Sequence, residues 1–328
     1  MIYSQWVQWI AQRQTVMASV AASVSGLLRG AAGSFPARGA AMLLKPRPLC
    51  ACMPNRKMAS RRKTDHLERT AEKYRQDVLF PAKVCGILDE SNKVRRLRLA
   101  VPNKDFSFKA GQWVDFYIPG FPKVGGFSIC SSPGLLQREG VIELAVKYSE
   151  HPPARWIHTE CTLDCEVAVR VGGDFYFDPQ PSDSAVNLLL VAGGVGINPL
   201  YSILLHVADL HRLRQCEDSG YEPGSVQLCY SAKNTDELLF KNTIIGLSKE
   251  LSGKFSCDFH VTQQDTEINM QLRPYVSEGR ISEQILRQHL STDALCYICG
   301  PPPMIQSVSE QLQHLGISKE KILFEKWW

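Results

Sequence analysis

Gly193-Gly194-Val195-Gly196-Ile197-Asn198-Pro199 stands between an apolar run, Val186-Asn187-Leu188-Leu189-Leu190-Val191, and an amphipathic helical pattern from Leu200 to Leu210. Glycines at the turn out of a first strand let the backbone approach a pyrophosphate, whose charge then rests against a helix N-terminus. The G-G-x-G-x-x-P spacing is not the G-x-G-x-x-G of dehydrogenases, so taken alone it fits a ligand-free strand-to-helix turn equally well. Cys299-Gly300-Pro301-Pro302-Pro303-Met304 follows a second apolar run, Ala294 to Ile298, and leads into a helix from Ile305 to Leu315. A cysteine at a strand end reads by itself as a buried residue. A third stretch, Gly125-Gly126-Phe127-Ser128-Ile129-Cys130, sets an aromatic ring next to a hydroxyl.

Other chemistries find little support. Cys296 and Cys299 make a C-x-x-C, but they lie in a strand pattern whose side chains alternate, and no second pair stands at zinc spacing. Eleven cysteines, an odd number spread along the chain, do not form a secreted disulfide framework. Cys50 and Cys52 read as a solvent-facing pair in the tail. The eight histidines are scattered, and no Ser-His-Asp set emerges. The plant-type C-x₄-C-x₂-C iron–sulfur pattern is missing.

The elements that must position these residues divide the chain in three. Residues 65–183 read as strands: Val94–Val101, Trp113–Ile118, Val141–Tyr148 and Cys165–Val171, punctuated by Gly and Pro, with one helical patch at Ala154–His158. That pattern predicts a small antiparallel barrel. Residues 184–328 alternate strand and helix, which predicts a parallel sheet covered on both faces. Its further strands are Ser225–Ser231, Phe255–Val261 and Lys321–Glu325. The fold class is thus β followed by α/β. Ligands in such sheets lie beyond the carboxyl ends of the strands, where Gly194, Thr262 and Cys299 all fall.

Residues 1–64 hold ten Lys and Arg and no acid, which leaves residues 65–328 with a net charge of −6 within the overall +4. An acid-free tail rich in Ala, Ser and Arg is expected to be a mitochondrial transit peptide. Folding is expected to begin near Thr64, with a short charged helix over His66–Glu72. Because the basic charge sits in the tail, a nucleic-acid footprint is not expected. No apolar run of about 18 residues is present, so no membrane span is expected.

Taken together, the barrel, the Gly193–Pro199 loop, the Cys299–Met304 element and a C-terminal aromatic resemble the ferredoxin–NADP reductase superfamily over residues 75–328. The resemblance implies a flavin-reductase-type barrel that binds a flavin, expected to be FAD, and a Rossmann-like domain that binds a nicotinamide dinucleotide, NAD(H) with NADP as the alternative. It places Gly193, Gly194, Val195, Gly196, Ile197, Asn198, Pro199 and Thr262 around the dinucleotide, and Gly300 and Pro301 with Cys299 by the nicotinamide. Phe127 and Ser128 fall at the flavin, and Trp327 or Trp328, with Trp328 the candidate, covers its face. Cys299 and Ser128 are the implied catalytic positions, and Glu325 matches a C-terminal acid.

The flavin side departs from the family pattern. Gly125 stands where an arginine normally pairs with the flavin phosphate, removing a contact worth about 1.5–3 kcal/mol. Ala154 stands where a Ser or Thr normally opens the phosphate-binding helix; Lys123, Lys147 or Arg155 could substitute. Two functions follow as expectations. The first is an NAD(P)H-dependent flavin oxidoreductase passing electrons to an unknown acceptor, in which the cofactors supply the chemistry. The alternative is a flavin-free NAD(H)-binding redox sensor or assembly protein. After the second strand, Ser231 and Lys233 would suit a 2′-phosphate, whereas Asp236 and Glu237 would suit an unphosphorylated ribose. The lone lysine favours NAD.

Overall fold

Alternating side chains in the first half and doubly apolar strands in the second dictate two different sheets, and the computed structural model contains both. It describes residues 65–217, 220–291 and 293–327. These belong to one compact unit starting at Asp65.

The first sheet has six strands: β1 (Phe80–Ser91), β2 (Val94–Ala100), β3 (Trp113–Tyr117), β4 (Gly125–Ser128), β5 (Val141–Lys147) and β6 (Glu166–Gly172). Their order is β4-β3-β6-β1-β2-β5, all neighbours antiparallel. A bridge from Ile129, just past β4, to Leu144 in β5 closes the barrel. Its interior is filled by alternate residues such as Val84, Leu97, Val114, Phe116, Leu144 and Val169. Three short helices belong to this half: α1 (His66–Arg69), α2 (Pro133–Glu139) and α3 (Pro152–Thr159). Trp156 and Ile157 of α3 pack into the barrel core.

The second sheet comprises β7 (Leu188–Gly193), β8 (Val226–Ala232), β9 (Phe255–Val261), β10 (Val276–Glu278), β11 (Leu295–Cys299) and β12 (Ile322–Glu325). Every neighbouring pair is parallel, in the order β10-β9-β8-β7-β11-β12. Helices α4 (Ile197–Glu217), α5 (Lys241–Glu250), α6 (Glu283–His289) and α7 (Pro302–His314) accompany it. Central strand β7 is buried on both sides. Leu188 and Leu190 face one core with α4 and α5, while Leu189 and Val191 face another with α6 and α7. This is why its sequence is apolar throughout. The chain leaves β7 toward β8 and later returns on the other side as β11, which makes β7 and β11 the switch point of the sheet.

Hydrogen bonds tie the barrel half to the parallel-sheet half. The Asn198 amide donates to the Ala145 carbonyl at 2.7 Å, the Ser202 hydroxyl to the Ser131 carbonyl at 2.6 Å, and the Tyr297 hydroxyl to the Tyr176 carbonyl at 2.8 Å. No described helix is long and apolar enough to cross a membrane.

Candidate functional site

A cleft of about 400 Å³ opens at the carboxyl ends of β7, β8, β9 and β11. Gly193 and Gly194, Ser231 and Lys233, Thr262, and Pro301, Pro303 and Met304 line it, so four loops far apart in sequence converge. Two cations join them. Lys147 comes from the end of barrel strand β5, and Arg280 follows β10. Glu237 is the acid among the lining residues, 3.8 Å from Lys93. A cleft lined by glycine backbone and three cations suits a phosphate-bearing ligand. Among the described residues, no cluster of His, Cys, Asp and Glu could hold a metal ion. Cys296 and Cys299 belong to separate cores of the sheet.

The glycines of the first loop do different work. Gly194 has φ +55°, and a Cβ on it would meet nothing within 4 Å. It supplies a left-handed turn beside open space. Gly196 has no room at all, because its Cβ would lie 2.3 Å from the Cys299 carbonyl oxygen and 2.7 Å from the Gly300 nitrogen. A Cβ on Gly193 would meet Met304 Sδ at 2.5 Å and Pro301 Cδ at 2.8 Å. Gly193 and Gly196 therefore let the loop after β7 press against the loop after β11. Ile197 is fully buried, so it could meet a ligand only through backbone, while Val195 is part-buried against the same core. Asn198 is turned toward the barrel, and its Oδ1 is buried without a hydrogen-bond partner. Pro199 is buried at the start of α4. Thr262 ties the β8 and β9 loops through its amide, 3.2 Å from the Ala232 carbonyl.

Gly300, Cys299 and Glu325 do not line the cleft; they lie behind Pro301, at the ends of β11 and β12. Cys299 is fully buried and lies opposite Glu325 in the β11–β12 register. Burial, and secondarily the Glu325 charge, push its thiol well above the ordinary range. It is a neutral sulfur surface rather than a nucleophile. The carboxyl of Glu325 is pushed up to about 8 by burial, opposed by the Lys73 charge and a hydrogen bond from Trp113. The residue as a whole is part-exposed, but its Oε2 is sealed and unpartnered, and that oxygen governs the proton. Trp113 faces Ser128 in the β3–β4 register, and Ser128 is itself buried. Ser128, Trp113, Glu325 and Cys299 thus form a continuous series from barrel to sheet.

The outer face of β3 and β4, where the family resemblance places a flavin ring, is filled by the chain itself. His66 of α1 is buried and sits over Gly126; a Cβ there would lie 2.2 Å from the imidazole. Trp327 stacks on that imidazole with centroids 5.9 Å apart, and Trp113 meets it edge-on at 5.0 Å. His66 Nε2 lies 2.7 Å from Asp115, whose other oxygen takes Arg75 at 3.0 Å and Arg170 at 2.6 Å. Burial opposes charge on Asp115, but the His66 hydrogen bond and the two guanidinium groups outweigh it and hold the carboxyl below its usual range. Phe127 turns toward the barrel core, 5.6 Å from Phe116, with its ring covering Gly125. An arginine side chain at 125 would start 2.6 Å from that ring. Ala154 is buried and offers no hydroxyl. Arranged this way, the residues on this face do not fit a flavin. Trp328 lies outside the described residues, and Trp327 is the aromatic seen at this position.

Sequence reasoning passed over several of these residues. Asp115 looked like the polar side of an alternating strand, and its partners His66, Arg75 and Arg170 lie 40 or more positions away. Arg280 follows a three-residue strand too short to leave a periodic signal.

With the geometry in hand, comparison with known proteins is informative. The oxidoreductase NAD-binding domain family model matches residues 190–310, which hold the sheet switch point and most of the cleft. A Xenopus laevis protein, oxidoreductase NAD-binding domain-containing protein 1, is 60% identical over 314 residues, covering 95% of this chain and 100% of its own length. An Amycolatopsis cytochrome P450 reductase has the same fold, with a TM-score of 0.61 at 21% identity over 76% of this chain and 70% of that one. A Neisseria gonorrhoeae ferredoxin NADP⁺ reductase, solved with FAD and NADP bound, gives 0.59 at 18% identity over 75% and 98%. The fold is that of the ferredoxin reductases. The chain belongs to the oxidoreductase NAD-binding domain-containing protein 1 family.

Proposed function

We propose that the cleft binds a nicotinamide dinucleotide and that the chain is an NAD(P)H-dependent oxidoreductase delivering electrons to an acceptor that its surface does not identify. The observation that carries this reading is the convergence of Gly194, Lys233, Thr262 and Pro301 on one cleft at the switch point of a parallel sheet. The pyrophosphate would lie at Gly194 and the start of α4, within reach of Lys147. The adenosine half would run toward Ser231, Lys233 and Arg280, and the nicotinamide toward Gly300 and Pro301. There Cys299 and the protonated Glu325 would bound it with groups that carry no charge. The nicotinamide supplies the hydride, and the chain's own residues bind, orient and exclude water. The domain boundary near 183–184 and a mitochondrial location directed by residues 1–64 are parts of the same proposal.

A titration of the full chain with NADH and NADPH, followed by calorimetry, tests it. Saturable binding of one or both is expected, and no heat with either at millimolar ligand would refute it. One observation favours the flavin-free reading as well: His66 holds the face on which a flavin would lie.

A further inference from the structure

Two thiols outside the cleft meet at the turn that joins α3 to β6. Cys161 is buried in the barrel core, and Cys165 packs half-buried against the same core. Their side chains are in hydrogen-bond contact with each other. The Cys165 sulfur also meets the Thr162 amide and the Thr162 hydroxyl, each at 3.4 Å. Main chain sets this arrangement. Asp164 takes φ +67°, a left-handed conformation that Asp adopts more readily than most residues, and the chain doubles back there. The Cys161 amide donates to the Trp156 carbonyl at 3.0 Å. The Asp164 amide donates to the Val84 carbonyl at 2.8 Å, and the Cys165 carbonyl accepts from the Val84 amide at 2.9 Å. One cysteine is thus fixed to the end of α3 and the other to β1, with their side chains together. Cys296 and Cys299 differ, because strand alternation puts them in separate cores. Burial, followed by the Cys165 neighbour, pushes the Cys161 thiol up to about 12, so the half-buried Cys165 is the sulfur that meets a reagent first.

We propose that Cys161 and Cys165 form a reversible redox site, which closes to a disulfide by exchange with a small-molecule disulfide such as oxidised glutathione. The Cys165 sulfur, as thiolate, attacks one sulfur of the reagent. The reagent's S–S bond breaks, one small thiol leaves with the proton that Cys165 gave up, and Cys165 carries a mixed disulfide. The Cys161 sulfur then displaces the second small thiol, and the Cys161 proton passes to that leaving group. In sum, two protein thiols give up two electrons and two protons, and the reagent is reduced to two thiols. Because the Cys161 thiol is already in contact, the second step is intramolecular and runs at high effective concentration. The exposed Cys85 and Cys216 stop at the mixed disulfide. This inference concerns the barrel and does not depend on the dinucleotide reading of the cleft.

The test equilibrates the reduced full chain with mixtures of oxidised and reduced glutathione, quenches with N-ethylmaleimide and maps the tryptic peptides. Residues 156–170 make up a single tryptic peptide that holds both cysteines and no other. In the parent this peptide is expected to be lighter by two hydrogens, with neither glutathione nor maleimide attached. Dithiothreitol is expected to restore two maleimide adducts. Cys161→Ala is expected to keep a glutathione on Cys165. Cys165→Ser, which covers the case in which Cys161→Ala does not fold, is expected to leave Cys161 as an unmodified thiol. Closure is expected to be favoured about ten-fold or more in the folded chain over the urea-unfolded one, because the turn is pre-arranged. Two maleimides on the parent peptide once Cys85 and Cys216 are oxidised would overturn the proposal. So would a glutathione retained on the parent peptide, a cross-link from it to another peptide, or equal closure in urea.

Discussion

Glu325 offers a quantitative handle on the interior behind the cleft. Its carboxyl rises from an ordinary 4.5 to about 8 on folding because Oε2 is sealed without a partner. The folded state therefore holds a proton that the unfolded chain releases. Stability from this group is fully present below about pH 4.5, declines as pH rises, and is lost once pH passes about 8. Within that window the slope is about −1.4 kcal/mol per pH unit, and the whole interval amounts to a few kcal/mol. Glu325→Gln keeps the shape and cannot ionise. Urea unfolding of both proteins at pH 5, 6, 7, 8 and 9 isolates the effect, because every other titrating group is common to the two. The variant should gain on the parent by about 1 kcal/mol per unit from pH 5 to 8 and then level off. A difference that stays flat across pH 5–8 would show that Glu325 ionises normally and that this part of the interior is wet.

Further expectations concern the cleft and the tail. Gly196→Ala should lower unfolding stability by about 1–3 kcal/mol, because its Cβ meets the backbone of Cys299 and Gly300. Gly194→Ala, in open space but left-handed, should lower it by only about 1–2 kcal/mol; thermal denaturation that ranks them the other way would undo the division of labour between the two glycines. Arg280→Ala should weaken dinucleotide binding several-fold, more for NADPH than NADH, with the gap shrinking as salt rises; equal affinities in calorimetry would place Arg280 away from the ligand. Mass spectrometry of the endogenous protein should find a chain cleaved in or before the 45–65 region, and an intact Met1 on a cytosolic protein would contradict import.

Much of this was legible in the sequence because the relevant signals are local. The parallel strands announced themselves as apolar runs, since β7 and β11 are buried on both faces. Phe255–Val261 matches β9 at both ends. The glycine and proline elements sit at strand ends because only the turn chemistry there requires them. By contrast, β1 is the longest barrel strand and left little trace. Its Phe80, Ala82 and Val84 alternate correctly, but irregularities between Val84 and Gly86 and between Asp89 and Ser91 break the period. The expected helix over His66–Glu72 shrinks to His66–Arg69, because its purpose is to seat one ring on the barrel rather than to bury an amphipathic stripe. The resemblance places Asn198 and Gly196 at the dinucleotide; the three-dimensional arrangement adds that Asn198 also joins the sheet to the barrel and that Gly196 also spaces two loops.

The central claim, that a nicotinamide dinucleotide lies across the switch point of the parallel sheet, is tested most directly by hydrogen exchange of the full chain with and without saturating NADH, repeated with NADPH. Protection is predicted in three separate stretches at once: residues 193–198, 231–233 and 299–304. Binding with protection confined elsewhere, or no protection with either dinucleotide, would contradict it.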